Sequence, residues 1–282
     1  MHSSPTTVSN QQLDEERALY GSHHLAVLDC AFDGPADGES ALKESDHVSV
    51  ERCYFNLRYP FWHDRALTIH DSKMTSLCRA ALWYCDDVTV TDSRLHGIKA
   101  LRECANVSIR RCDVRSAEFG WFCHALTLED VSLEGEYVFL RCHDLIANRL
   151  SLNGKYSFQY LENATFTDCD LKTKDAFWHT KNVTVENSTL TGEYLAWYSE
   201  NLTLINCRIR GTQPFCYCKN LRLVNCELLD ADLAFEKSEV NATITTPVLS
   251  IKNPASGQIQ LPSAGELILT DPDAHAEIVF TE

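Results

Sequence analysis

The sequence is poor in glycine and proline, with 11 and 8 of them among 282 residues, and poor in basic residues, with 25 Lys and Arg against 40 Asp and Glu. The first shortage excludes collagen-like, low-complexity and wholly disordered chains. The second leaves a net charge of −15, which opposes binding to nucleic acid and to anionic membrane surfaces. We therefore predict no nucleic-acid partner.

Long apolar runs are also missing. No window approaches the roughly 18 apolar residues of a membrane span, and residues 1–20 lack the basic start and apolar core of an export signal. These absences predict a cytoplasmic protein with no membrane partner.

The dominant feature of the sequence is a repeat. Segments that alternate Asn or Asp, an apolar residue, Thr or Ser, and a second apolar residue recur along the chain. From Val88 onward the first apolar residue returns every 19 positions. This column comprises Val88, Val107, Leu126, Leu145, Ala164, Val183, Leu202, Leu221, Val240, Ile259 and Ile278. Upstream the steps between Leu25, Val48, Leu67 and Val88 are 23, 19 and 21 residues.

Period-2 alternation within each unit indicates strands rather than helices. Each unit offers a leading strand, a second strand and a third short strand, such as residues 137–142 or 175–180. Units this short cannot bury a face alone, so neighbouring units must stack and pair in parallel. The prediction is an all-β fold, a single-stranded right-handed parallel β-helix (a solenoid) of about 13 rungs with three short strands per rung.

The ends of the chain differ from its middle. Residues 1–15 are polar and unpatterned, so we expect an N-terminal tail or a cap over the first rung, with the parallel β-helix domain over residues 16–282. Near the C-terminus, Pro247, Pro254, Pro262 and Pro272 enter the pattern and suit looser terminal rungs.

Thirteen cysteines would suggest a disulfide framework in a short secreted chain. Here eleven of them fall into two columns of the repeat, Cys30, Cys53, Cys112, Cys169, Cys207 and Cys226 in one and Cys85, Cys104, Cys123, Cys142 and Cys218 in the other. We expect buried, reduced thiols that stack as small apolar residues. Alternation points Cys123 and Cys142 inward but His124 and His143 outward, so we predict no metal site and no cofactor.

The third strand has the most unusual side chains, in three successive positions. The core column includes Phe61, Leu82 and Leu101, the tryptophan column includes Lys43, Trp62, Trp83, Arg102 and Trp121, and the outer column includes Glu44, His63, Tyr84, Glu103 and Phe122. If the core column faces the interior, strand alternation makes the tryptophan column face water. If the alternation is the other way round, the core and outer columns face water instead. Either way an aromatic stripe reaches the surface, as a glycan-binding face requires, because sugar rings lay their C–H faces on aromatic rings.

Insertions at residues 32–46 and 56–65 place a candidate site in the early rungs, since departures from a repeat map to loops on a working face. There His63 stacks in one column with Glu44 and Glu103, and a titratable His near carboxylates is a candidate acid/base group. We take His63, Glu44 and Glu103 as candidate catalytic residues, and as ligand-binding candidates Trp62, Trp83, Tyr84, Arg58, Arg79, Arg102 and Trp121.

Two functions stay open at this point. The first is binding of a carbohydrate or related polar ligand, with or without hydrolase or lyase activity. The second is a noncatalytic role, in which the aromatic face mediates self-association into a homo-oligomer or contact with another protein.

Three strings of the sequence are distinctive: ERALYGSHHL at 16–25, GPADGESALKE at 34–44 and RYPFWH at 58–63. In these strings the chain resembles the microbial family catalogued as domain of unknown function 3737. The resemblance extends over nearly the whole chain. It implies a right-handed parallel β-helix of the pectin-lyase type and supplies no catalytic residues. The sequence does not reproduce the catalytic sets of pectate lyases or polygalacturonases.

Overall fold

The computed structural model describes residues 5–34 and 39–281, which form an all-β parallel solenoid of about 14 turns. The predicted fold class is confirmed, and the expected rung number is close. The chain divides into two compact units, Met1–Phe139 and Leu140–Glu282. The right-handed sense stays a prediction. The described residues include no helix long and apolar enough to span a membrane.

In the first unit each turn begins with a leading strand and continues into a shorter second strand. The leading strands are Thr6–Ser9, His23–Leu28, Asp46–Glu51, Arg65–His70, Asp86–Thr91, Ala105–Arg110 and His124–Glu129. The second strands are Ala31–Phe32, Tyr54–Phe55, Lys73–Met74, Arg94–His96, Asp113–Arg115 and Ser132–Glu136. Third strands occur at Phe61–Trp62, Leu82–Trp83 and Leu101–Arg102.

The register in this unit follows the repeat. Val88 pairs in parallel with Leu67 on one side and Val107 on the other, and Val48 pairs with Leu25. The uneven early steps and the 19-residue step are thereby confirmed. Thr6 pairs with Leu25, so part of the segment expected as a tail or cap is a strand of the first rung. Residues 1–4 of that segment and residues 35–38 of the first insertion lie outside the described residues.

The second unit contains leading strands His143–Asn148, Glu162–Thr167, Lys181–Glu186, Glu200–Ile205, Leu221–Leu229, Glu239–Ile244, Ser256–Leu261 and Glu277–Phe280. Its second strands are Ser151–Lys155, Asp170–Lys174, Thr189–Thr191 and Arg208–Arg210, and Val248–Lys252 pairs with Ala264–Ile268. Val183 pairs with Ala164 and Leu202, again at the 19-residue step.

The expected column is wrong at one place in the second unit. Ile259 pairs with Ala242, not with Val240, whose partner is Gly257. This step is therefore two residues shorter than the regular 19-residue step. Gly257 (φ +96°) lies against the carbonyl group of Val240, where a β-carbon would clash. Glycine meets both requirements.

The interior is filled by apolar residues and cysteines. All thirteen cysteines are buried and free, which the repeat predicted for the eleven that lie in its two columns. Burial raises the pKa of Cys53 and of Cys218 to about 11, so these thiols stay protonated and behave as small apolar groups.

The two units differ where the third strand was expected. In the first unit Phe61 and Leu82 are extended, whereas in the second the equivalent Phe158 and Phe177 have φ of +62° and +60°. A left-handed residue ends the extended conformation, so residues 137–142 and 175–180, for which the repeat predicted third strands, form turns and bends instead. The turns still stack by backbone hydrogen bonds, such as the 3.0 Å bond from the N–H of Phe177 to the carbonyl oxygen of Ser157.

Candidate functional site

The third-strand face of the first unit, which we define as its tryptophan and outer columns, is accessible to solvent in both columns. The core column is buried, as predicted, with Phe61 at 0% exposure. Trp62 and Trp83 are half-buried, while His63 and Tyr84 are exposed. Simple alternation fails because the outer column is left-handed, with φ of +60° at His63 and +56° at Tyr84. Two adjacent positions therefore reach the surface.

Successive rungs place the outer-column residues one above another. The backbone N–H of Glu44 donates to the carbonyl oxygen of Trp62 at 2.7 Å, and that of His63 donates to Trp83 at 2.9 Å. The imidazole of His63 stacks on the ring of Tyr84, with centroids 4.9 Å apart and planes 9° apart. The row predicted from the sequence is thus continuous.

Glu44 is held from the other side by Tyr20. The phenol hydroxyl of Tyr20 donates a 2.5 Å hydrogen bond to Oε2 of Glu44. This bond raises the pKa of Tyr20, because losing the phenol proton would leave two negative groups in contact. Glu44 is therefore a fixed hydrogen-bond acceptor at the edge of the face.

The tryptophan column combines aromatic rings with cations. Nζ of Lys43 lies 5.2 Å from the ring centroid of Trp62. The guanidinium of Arg102 lies between two indoles, 5.1 Å from Trp83 and 5.0 Å from Trp121. Trp62 and Trp83 meet edge to face, with centroids 5.0 Å apart and planes at 79°. Each cation–π contact contributes about 0.5–1 kcal/mol at such partly exposed positions.

Carboxylates orient this column. Oε1 of Glu103 accepts hydrogen bonds from Nε1 of Trp83 at 3.3 Å and from Nε of Arg102 at 3.4 Å. On the far side of Arg102, Oε2 of Glu118 lies 3.9 Å from Nη1 and 3.3 Å from Nζ of Lys99. Arg102 is thus fixed by charge pairs and by rings at once.

The candidate catalytic groups are not equally close. Glu44 occupies the rung next to His63, whereas Tyr84 separates His63 from Glu103. Glu44 and Glu103 are three strand spacings apart, which is about 14 Å along the column. The arrangement brings Glu44 and His63 together and leaves Glu103 to orient Trp83.

The two remaining arginines lie where the third segment begins. Arg58 is half-buried, with Nη2 at 3.5 Å from Oε2 of Glu39 and its guanidinium 5.9 Å from the ring of Tyr59. Arg79 is exposed and forms no ion pair with another described residue. Arg79 therefore offers an unpaired guanidinium beside the two columns of the face.

Sequence reasoning did not choose Tyr20, Lys43 or Glu118 as site residues. Lys43 was placed in the tryptophan column and Tyr20 precedes it there by one rung, so choosing every member of that column would have found both. Glu118 lies outside the two columns, beside Lys99 and Arg102, and the column pattern does not point to it.

A further missed residue lies directly beneath the face. Asp64, 2% exposed, occupies an inward column whose neighbouring members are Ser45 and Cys85. Its Oδ1 accepts the backbone N–H of Ser45 at 2.9 Å, while its buried Oδ2 has no hydrogen-bond partner among the described residues. Burial raises the pKa of Asp64 to about 8.

In the described parts of the chain, no group of three or more His, Cys, Asp or Glu side chains converges to hold a metal ion. The third-strand face thus offers aromatic rings, carboxylates and one open guanidinium. These groups suit a hydroxylated organic ligand.

A model of the family described as protein of unknown function DUF3737 matches residues 6–279 of the chain. Among curated proteins no match is found. Among solved structures, the chain is similar to the A-module of the mannuronan C-5 epimerase AlgE4 of Azotobacter vinelandii, with 9% identity, a TM-score of 0.42, and coverage of 85% of this chain and 91% of that one.

The surface adhesin PfbA of Streptococcus pneumoniae gives 7% identity and a TM-score of 0.35, with coverage of 86% of this chain and 73% of that one. The catalytic domain of a GH87 α-1,3-glucanase in complex with nigerose gives 8% identity and a TM-score of 0.32, with coverage of 86% of this chain and 63% of that one. At these identities and scores the likenesses support no statement about substrate or activity.

Proposed function

The chain belongs to the family of proteins of unknown function that matches residues 6–279, and from its geometry we propose that it binds a neutral, hydroxyl-rich oligosaccharide on the third-strand face of the first unit. The observation that carries the proposal is the edge-to-face pair Trp62 and Trp83, at 79°, on a partly exposed surface. Perpendicular rings cannot stack face to face, so the pair presents indole surface flanked by Lys43 and Arg102, against which the C–H groups of a sugar can pack.

Polar groups beside these rings match the hydroxyl groups of such a ligand. The carboxylates of Glu44 and Glu103 are held in place by Tyr20 and Arg102 and act as acceptors for sugar hydroxyls. The net charge of −15 opposes a polyanionic glycan. Two of the cations are paired already, Arg102 with Glu103 and Arg58 with Glu39, which also favours a neutral ligand.

Binding without turnover fits this geometry better than glycoside hydrolysis. Glycosidases place two carboxyl groups about 5–9.5 Å apart across the scissile bond, whereas Glu44 and Glu103 are separated by about 14 Å of column. His63 and Glu44 remain the pair for any acid/base step, because they occupy neighbouring rungs. A cytoplasmic location stays a prediction, and the free thiols are compatible with it.

Intrinsic fluorescence tests the proposal. Titrating neutral and anionic oligosaccharides into the protein should change tryptophan emission for a neutral ligand, and the Trp83→Ala variant should lose that response. The matched control is Trp197→Ala in the second unit, where Trp197 stacks flat on Trp178 at 5° and hides its face. Equal loss in both variants, or no response to any oligosaccharide, contradicts the proposal.

The alternative function is self-association through the same face. Exposed aromatic rings such as Tyr84 and Phe122, at 44% and 43%, would favour a contact between chains. Size-exclusion chromatography of the wild type and of the Trp83→Ala and Trp121→Ala variants separates the two functions. A dimer that these substitutions convert to monomer favours self-association.

A further inference from the structure

The carboxyl group of Asp64 lies directly beneath the third-strand face, one residue after His63. It is 2% exposed, and its buried Oδ2 has no hydrogen-bond partner among the described residues. Buried polar atoms in native proteins are nearly always hydrogen-bonded, and the exceptions concentrate at functional sites. The position of this carboxyl group therefore points to a role beyond packing.

Asp64 replaces a smaller residue in a hydrogen-bonded column. Along this inward column a side chain accepts the backbone N–H of the preceding rung: Oγ of Ser45 accepts from Ser22 at 3.1 Å, and Sγ of Cys104 accepts from Cys85 at 3.4 Å. Oδ1 of Asp64 makes the same bond, with the N–H of Ser45 at 2.9 Å. A hydroxyl or a thiol is sufficient for that bond, so the second carboxyl oxygen is not needed for it.

The bond from Ser45 connects Asp64 to the outer column. Ser45 directly follows Glu44, and Asp64 directly follows His63, so one carboxyl group joins the backbones of two neighbouring outer-column residues. Glu44 and His63 both have a φ of +60°. Residues other than glycine adopt this conformation only where the surrounding structure holds them in it. Asp64 is thus placed to control how Glu44 and His63 are presented to a ligand.

The surroundings of Asp64 favour its neutral form. Burial raises the pKa of this carboxyl group to about 8, backbone hydrogen bonds from Ser45 and Glu44 oppose the rise, and the Cys104 and Glu44 side chains add to it. The thiol of Cys85, on the next rung, keeps its proton because burial raises its pKa too. The neutral carboxyl group is consequently the form that suits the packed rung.

Ionisation of Asp64 would disturb the face. It leaves a charged Oδ2 that the described residues do not solvate, close to the carboxylate of Glu44. An unsolvated charge draws in water, and the adjoining residue His63 is already exposed. Hydration of Oδ2 therefore moves the backbone on which the outer column is built.

We propose that Asp64 is a positioning residue whose proton controls the third-strand face. While the carboxyl group is neutral, Glu44 and His63 keep their stacked arrangement and the face binds its saccharide, and loss of the proton shifts them and weakens binding. The statement about binding rests on the proposed saccharide function, whereas the statement about conformation does not. If only the neutral form binds, the affinity falls about tenfold between about pH 7 and about pH 9.

The conformational part is tested without any ligand, with the variants Asp64→Asn and Asp64→Ser. Both keep an acceptor for the N–H of Ser45, and neither can titrate at this position. Tryptophan emission of the wild type, to which Trp62 and Trp83 contribute, should change with a midpoint near pH 8. Both variants should lack this transition. The matched control Thr180→Ser, in the same inward column of the second unit, should keep it.

The binding part is tested by titrating the neutral oligosaccharides at the two pH values. The wild type and Thr180→Ser should lose about tenfold in affinity at the higher pH, and both Asp64 variants should lose less than about twofold. Circular dichroism confirms the fold of each protein, and the two Asp64 variants serve as checks on each other.

Each result bears on one part of the proposal. An emission transition that persists in both Asp64 variants overturns it. A transition confined to the wild type and Thr180→Ser, with wild-type affinity equal at both pH values, overturns the control of binding and leaves the saccharide function standing. Absence of any saccharide response overturns the proposed function alone, because the emission transition still decides the conformational role of Asp64.

Discussion

The two units repeat the same columns but pack them differently. In the second unit Tyr160, His179, Tyr198 and Tyr217 stack nearly parallel, with centroids 4.8–5.0 Å apart and planes within 10°. In the first unit the equivalent surface has carboxylates beside the stacked pair His63 and Tyr84, and a perpendicular tryptophan pair. A ring stacked on both sides presents only its edge to solvent, so the regular ladder stabilises the coil and the irregular one leaves faces for a ligand.

The step of the repeat does not by itself produce this difference. A 19-residue step separates Glu44 from His63 and Trp83 from Arg102, just as it separates His179 from Tyr198. In both units the backbone pairs equivalent positions at the strand spacing. The difference therefore comes from the side chains, because the second unit repeats rings in the outer column while the first unit mixes rings with carboxylates and cations.

The largest expected effect is on the free energy of unfolding. It compares the contribution of a buried ring in a turn of the second unit with that of a buried ring in a strand of the first unit. Phe177, at 1% exposure, stacks on Phe158 at 4.7 Å. Phe177→Ala should lower the free energy of unfolding by about 3–5 kcal/mol, because it removes a buried ring and leaves a cavity. Urea denaturation measures this. Phe61→Ala, at the equivalent position of an extended strand, should cost about as much, since Phe61 is also fully buried. A clearly smaller loss at Phe177 would show that the turn collapses around the cavity more completely than the strand does.

The next prediction concerns Asp64, the buried carboxyl of the first unit. Burial raises its pKa to about 8, so in the native state it keeps its proton while the unfolded chain has already lost it above about pH 4. The native protein therefore loses stability as the pH rises from about 4 to about 8, and the effect is constant at higher pH. Asp64→Asn, which cannot titrate, should lack this slope.

Denaturation of both proteins at a series of pH values measures the difference. The unfolding free energy of Asp64→Asn should rise relative to the wild type by up to about 1.4 kcal/mol per pH unit within that window. Other titrating groups cancel in the comparison. Thr180→Ser, in the corresponding inward column of the second unit, is the control and should show no pH-dependent difference. Parallel pH curves for Asp64→Asn and the wild type would contradict the assignment.

A smaller effect is expected at Arg102, whose side chain is 18% exposed. Arg102→Ala removes contacts with Trp83 and Trp121 and with two carboxylates, and should cost about 1 kcal/mol in thermal or urea unfolding. Arg141→Ala in the second unit, where the guanidinium lies 4.8 Å from Tyr160 on an exposed surface, should cost about half as much or less. Equal losses would remove the distinction between the two faces.

The sequence was sufficient for the fold because one column, exemplified by Val88 and Val107, determines both period and register. It failed at Ile259, since a turn can lose two residues where Gly257 permits close approach, and no apolar column records that. The sequence identified the residues of the third-strand face but not the directions in which their side chains point. Left-handed backbone at His63 makes two adjacent positions point outward, which strand alternation cannot anticipate.

A pair of substitutions with small effects on stability compares the two faces in their function. Tyr198 lies between His179 and Tyr217 at 4.9 and 4.8 Å, and Tyr84 stacks on His63 at 4.9 Å. Both rings are exposed by nearly half, so replacing either by alanine should cost only about 0.5–1 kcal/mol. If the irregular face binds the saccharide, Tyr84→Ala weakens the fluorescence response and Tyr198→Ala leaves it intact. If Tyr198→Ala abolishes the response instead, the saccharide binds to the stacked rings of the second unit. Exposed ring faces would then not be what the ligand requires.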